Sequence, residues 1–332
     1  MFRFLFRLII VAIFALAIYL AVGLLLPAGP HSQQFVQLKP GSSARRIAAD
    51  LQHAGIIRSQ YAFLLWHYTH GRKSLKAGEY AFDHPANAAS VYDRIARGDI
   101  FFQTVVVPEG FNMFDIAAAV EGAGLGSRDA FLDIARKQAA MVHDLDPQAP
   151  TLEGYLFPDT YHFTRTESLH DIAAAMVHRF RQATKDMGLN QNTHQLVTMA
   201  SIVEKETAAP DERPMVASVF YNRLARHMVL ATDPTVIYAA LLDQRYRGTI
   251  YQSDLRYASP YNTYKVAGLP PGPICNPGKA SLEAAMHPAS TDYLFFVKDM
   301  QANDGHHRFA RTDQEHAANV AAYRRGQAAQ SR

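Results

Sequence analysis

At 332 residues, 48% hydrophobic and 19% charged, the chain can bury a sizeable core and divide into more than one domain. A net charge of +3, with no run of five like charges, argues against a nucleic-acid partner. One cysteine, Cys275, excludes an internal disulfide and is ordinary for an exported domain with its own core.

In chain order, the first element is an apolar helix. Arg3 and Arg7 precede 19 uncharged, almost wholly apolar residues, Leu8 to Leu26. As a helix this run spans roughly 28 Å, close to the hydrocarbon thickness of a bilayer. A cleaved signal has an apolar stretch of about 7–15 residues and a small-x-small site, which "LLLPAGP" matches poorly. The expectation is therefore a cytoplasmic N-terminus and a single transmembrane helix at about 8–26, within residues 1–29. No further arginine follows until Arg45, so the positive-inside bias leaves the remainder on the periplasmic side of the cytoplasmic (inner) membrane.

A weak internal repeat comes next. The segment from Val36, "VQLKPGSSARRIAADLQHAGIIRSQYAFLLWH", parallels "VVVPEGFNMFDIAAAVEGAGLGSRDAFLDIAR" from Val105. Each reads as a strand, a Pro and Gly turn, and two helices. Gly55 and Gly124 are placed to stop the first helix, and Ser59 and Ser127 to cap the second. With "SLKAGEYAF" as a closing strand, residues 30–100 form a βααβ unit that resembles the LysM-like modules of peptidoglycan-associated proteins. A plain packing unit has the same order.

Residues 101–332 form the second region. "TLEGYLFPDTYHF" reads as a structured aromatic loop, and "ESLHDIAAAMVHRFRQATKDMG" as a helix stopped by Gly188. After "QLVTMASIVEKETA" come a helix in "RPMVASVFYNRLARHM", a loop-rich stretch "YASPYNTYKVAGLPPGPICNPGKA", a strand in "DYLFFVKD" and a final helix. Strands and helices do not alternate regularly, so the predicted class is α+β.

The acidic end of "MASIVEKETA" poses the chemical question. With Asn192 as N-cap and Gln195 completing a capping box, the apolar side of the helix holds Leu196, Val197, Ala200 and Val203. Lys205, Thr198 and Ser201 fall on the polar face. Taking Leu196 as zero, Glu204 lies at about 80° and Glu206 at about 280°, on opposite margins of the buried face. They cannot pair over one bond; either carboxyl, held against apolar surface, suits a general acid, and the competing reading, which this geometry alone favours, is a boundary residue that snorkels to water. Periodicity leaves the two level.

Together "QLVTMASIVEKETA", "RPMVASVFYNRL", "DPTVIYA", "SPYNTY", "GLPPGPICNPG" and "YLFFV" resemble the endolytic murein transglycosylase family, the YceG-like proteins. "EGYLFPDTYHF" is similar to that family's aromatic loop upstream of the catalytic helix, which includes Tyr155. The resemblance implies a membrane-anchored lyase that cuts nascent peptidoglycan strands internally at the MurNAc–GlcNAc bond, leaving 1,6-anhydro-MurNAc ends. It places the catalytic role on the first glutamate of the motif, Glu204. It also implies no cofactor, and partners that are glycan strands, the membrane and peptidoglycan synthases.

Tyr155, Glu206, Asp233, Tyr261, Asn262 and Tyr264 are candidate substrate-binding residues. Loop packing is the competing reading for the "SPYNTY" residues, and capping of a helix at Pro234 for Asp233. The histidine pairs in "WHYTH" and "GHH" lack a third ligand, so no metal is expected. Three other functions compete. They are a non-catalytic glycan-binding scaffold, a hydrolytic muramidase using Glu204 with Asp233 or Glu153, and a pyridoxal-phosphate lyase on Lys205, which a polar-face position disfavours.

Overall fold

A computed structural model describes residues 2–189, 192–301 and 305–330 and divides the chain into two units after Gln103.

In the first unit, helix α1 (Phe2–Leu25) is apolar and exposed along nearly its whole length, with Gly23 its one buried residue. By length and composition it is compatible with a single-pass anchor. After it come β1 (Gln34–Leu38), α2 (Ala44–His53), α3 (Gln60–Thr69), β2 (Gly78–Phe82) and α4 (Ala88–Arg97). β1 and β2 pair antiparallel, with Val36 opposite Tyr80. Alternation sends Val36, Leu38, Tyr80 and Phe82 into a core with Leu51, Phe63, Tyr92 and Ile95. The order strand, helix, helix, strand is present, and α4 packs beneath it as an additional helix.

The second unit runs through β3 (Gln103–Val107), α5 (Met113–Gly122), α6 (Arg128–Lys137), β4 (Asp159–Phe163), α7 (Leu169–Thr184) and α8 (Thr193–Glu206). Then come α9 (Arg213–Ala225), α10 (Asp233–Leu242), α11 (Gln252–Leu255), α12 (Lys279–Met286), β5 (Phe295–Lys298), β6 (His307–Ala310) and α13 (Asp313–Gln330). Among the described residues the strands make three separate two-stranded pairs between helices, a mixed α and β arrangement without a doubly wound sheet.

The internal repeat is visible as matching local geometry. α2 and α5 both end at an alanine followed by a left-handed glycine, Gly55 at φ +72° and Gly124 at φ +70°. Ile56 N–H then reaches back to Leu51 O, and Leu125 N–H to Val120 O, the six-to-one bond that ends a helix when the next residue tolerates positive φ. Ser59 and Ser127 accept from the Ala62 and Ala130 N–H groups and start α3 and α6.

The capping box expected at Asn192 does not form. Asn192 is left-handed at φ +58°, and its side chain makes no cap bond. The expected polar face of α8 is also largely buried, with Thr198 and Ser201 at 0% exposure. The 274–275 backbone covers that face: Ile274 N–H donates to Ser201 Oγ at 3.0 Å, and Cys275 Sγ to Ser201 O at 3.2 Å. With most of its expected polar face covered, the helix offers a periodicity argument little contrast between dry and wet sides. Of that face, Lys205 emerges into solvent and donates to Gly110 O.

Candidate active site

The last turn of α8 presents its two glutamates to different surroundings. Glu204 is a clamp. Its Oε1 accepts from Arg213 Nη2 at 3.2 Å and its Oε2 from Gly278 N–H at 3.0 Å, and its side chain is 6% exposed. These bonds tie the end of α8 to the first residue of α9 and to the residue preceding α12. Arg213 also faces Glu109, 3.6 Å away. The Glu109 carboxylate occupies the place a side chain at 278 would take, since a Cβ there would lie 1.9 Å from Glu109 Oε1. Both oxygens of Glu204 are therefore engaged by protein.

Glu206 instead lines an open cavity of about 420 Å³ with Arg223, Thr232, Asp233 and Tyr264. Thr232 Oγ donates to Glu206 Oε1. Burial raises the Glu206 carboxyl above its ordinary value; the Thr232 bond opposes this, and the negative charge of Asp233 adds to it. A carboxyl whose protonated form is favoured by burial, at the wall of a polar cavity, is placed to donate its proton.

The far wall is built by a strained segment. Ala231 has φ +47°, a conformation that an L-residue holds only where its surroundings over-determine it. Here Ala231 N–H bonds Thr263 O, Thr232 N–H bonds Thr263 Oγ, and Thr263 Oγ meets Thr235 Oγ at 2.8 Å. In this turn Thr232 lies within hydrogen-bond reach of Glu206. Asp233 opens α10 as its first residue and not as its cap, which is Thr232. Its carboxylate accepts from Tyr264 OH at 2.7 Å.

The other sequence candidates do not join this cavity. Tyr155 is fully buried, donates to Asp146 at 2.5 Å and meets Phe180 edge-on, so it is a core residue. Asn262 is fully buried, and its amide donates to the carbonyls of Asp254, Leu255 and Tyr257. It shapes the loop and has no donor left for sugar. Tyr261 packs against Tyr238, and burial pushes its hydroxyl up to about 12. Glu153 lies under α5, fully enclosed by Met113 N–H, Tyr238 OH and Asn276 Nδ2. Lys205 faces a different cavity, lined by Asn112, Asp115 and Pro234. Among the described residues, no group of three His, Cys, Asp or Glu side chains is placed to hold a metal ion.

Sequence reasoning missed Thr232 and Arg223. Thr232 carried a signal, since it directly precedes the Asp–Pro helix start; Arg223 carried none, because it reads as an ordinary helix-surface cation.

The profile of the YceG-like family matches residues 36–322. The endolytic murein transglycosylase of Bacillus subtilis is 35% identical over 302 residues, covering 85% of this chain and 82% of that protein. The endolytic murein transglycosylase of Streptococcus pneumoniae is 29% identical over 340 aligned positions, covering 90% of this chain but 60% of that longer protein. A crystal structure of a yceG-like protein from Listeria monocytogenes superposes with a TM-score of 0.56 at 32% identity, over 87% of this chain and 99% of that one.

Proposed function

The chain belongs to the YceG-like family, and from that premise we propose that it is a membrane-anchored lytic transglycosylase of peptidoglycan. The observation that carries the reading is Glu206, a carboxyl of raised pKa facing a polar cavity. Glu206 donates its proton to the glycosidic oxygen between MurNAc and GlcNAc. The C6 hydroxyl oxygen of the muramoyl sugar bonds to its own anomeric carbon as the bond to the leaving sugar breaks. The Glu206 carboxylate takes the hydroxyl proton and is restored. No water is consumed, and a 1,6-anhydro ring is left.

One carboxyl suffices because the nucleophile belongs to the substrate, whereas an ordinary glycosidase needs two. Attack within one sugar also gains from pre-orientation. This reading moves the role that motif resemblance gives Glu204 to Glu206, because Glu204 is already engaged by Arg213 and Gly278. Mass analysis of products from purified protein tests the reaction type. Anhydro ends support it, reducing ends heavier by one water indicate a muramidase, and no product indicates a scaffold. Asp233 gives the muramidase alternative its one structural support, as a second carboxylate on the same cavity.

The Asp233 charge supplies a pH test. Removing it favours ionised Glu206 and lowers that pKa. The alkaline limb of kcat/KM, where Glu206 loses its proton, is expected to move to lower pH in Asp233→Asn. An unmoved limb would detach Asp233 from the acid.

We further propose that α1 anchors the chain in the cytoplasmic membrane with the second unit outside, near cell-wall synthases. Protease added to spheroplasts is expected to degrade the second unit while α1 stays in the membrane fraction. Protection of the second unit, or a soluble form trimmed near His31, would reverse this. The βααβ order of the first unit supports a LysM-like, glycan-holding role. Deleting residues 35–83 is then expected to raise KM for long strands more than it lowers kcat, sparing short ones. Equal loss on both would mean a structural role.

A further inference from the structure

Arg223 is held in an unusual way for a cation on a cavity wall. Its Nε donates to Leu294 O at 2.7 Å and its Nη1 to Leu230 O at 2.6 Å, while the guanidinium lies 5.5 Å from the centre of the Phe295 ring. Those contacts fix its orientation from two separate chain segments. The Nη2 group has no partner among the described residues. Arg223 makes no ion pair with Glu206 or Asp233, although both line the same cavity. Of the described residues lining that cavity it is the one permanently charged cation; His316 is titratable, and Glu206 and Asp233 are carboxyls. A rigid guanidinium with a donor group left over is a receptor for a carboxylate or carbonyl oxygen.

We propose that Arg223 is the specificity residue that recognises the 3-O-lactyl group of the muramoyl sugar through its Nη2 donors. The proposal rests on the peptidoglycan reading of the site and adds the part of the substrate it reads. Along an alternating glycan the hydroxyl and acetamido groups recur on both sugars. The lactyl group is the one carrying an extra carboxyl-derived oxygen, a carboxylate on peptide-free strands and an amide carbonyl where a peptide is attached. It also sits on the sugar whose anomeric bond is cut. A cation that engages it sets the register of the strand, placing the muramoyl side of each linkage at Glu206.

The test measures equilibrium affinity on the full-length protein carrying Glu206→Gln, so that ligands persist. Three saccharides of equal length are compared: a peptide-free alternating glycan, the same glycan with its lactyl carboxyls reduced to alcohols, and a chitin oligosaccharide. The first is expected to bind about 10- to 100-fold more tightly than the other two. Adding Arg223→Gln should remove that preference by weakening the first ligand alone, with Arg223→Lys intermediate. Equal affinity for all three ligands in the Arg223-containing protein overturns the proposal without any change to the arginine, so misfolding of a variant cannot protect it. Uniform weakening of all three ligands in a folded Arg223 variant also overturns it, leaving Arg223 as a brace for Leu230 and Leu294. Failure of the catalytic reading registers separately, as undiminished cleavage by Glu206→Gln or as products without anhydro ends.

Discussion

Glu206→Gln is expected to leave a folded protein whose glycan cleavage falls by about 10²–10⁴-fold, the range that general acid–base assistance supplies. The amide keeps the size of the side chain and can still accept the Thr232 bond. It has no acidic proton to give and cannot take one back. Glu204→Gln is the control with opposite expectations. One oxygen remains to accept from Arg213 or Gly278, but the second contact and the charge are lost. The cost falls on stability, about 1–3 kcal/mol, with kcat largely kept. Cleavage by each purified variant, scored beside its thermal unfolding, distinguishes the two. An inactive, well-folded Glu204→Gln with an active Glu206→Gln would return the role to Glu204.

Glu153→Ala is expected to have the largest effect on stability, about 3–5 kcal/mol. Its carboxyl accepts from the Met113 N–H in the first turn of α5, from Tyr238 OH on α10, and from Asn276 Nδ2 in the loop before α12. The truncation leaves Met113 and Tyr238 without those acceptors in a buried setting and opens a void among three elements. Asn276 Nδ2 keeps its bond to Phe111 O. Denaturant unfolding and hydrogen exchange in α5 measure the loss; a change below about 1 kcal/mol would mean water replaces the carboxyl.

The same residue carries a pH dependence. Burial pushes Glu153 up to about 8, opposed first by the Met113 bond, so the native state retains a proton that the unfolded chain releases from about 4.5 upward. Because the native state binds more protons in that window, its contribution to stability is full below the unfolded pKa and is lost as pH rises through about 8. Glu153→Gln is expected to lack that slope while being less stable at low pH, since its amide nitrogen confronts one of the donors.

The elements that local chemistry controls were legible from the chain itself. A transmembrane candidate needs only length and continuous apolarity, so Leu8 to Leu26 declared α1 without reference to any other residue. The paired stops at Gly55 and Gly124 and the starts at Ser59 and Ser127 were equally readable, because each depends on one φ angle or one side-chain bond within a few residues. The run of motifs from "QLVTMASIVEKETA" to "YLFFV" was enough to place the family. The tertiary structure decided which glutamate faces the cavity. Rotation about α8 puts Glu204 and Glu206 on equivalent margins, and a helix period says nothing of what lies beyond each margin. Arg213 and Gly278 close over one; Thr232, Asp233 and Arg223 leave space before the other. The same limit sent Tyr155 and Asn262 to the candidate list, since an aromatic or amide in a loop looks available until its partners are known. Those hydrogen-bond partners lie close along the chain, Asp146 for Tyr155 and Tyr257 for Asn262, but the burial that commits each group to them is a property of the assembly, which no local pattern encodes.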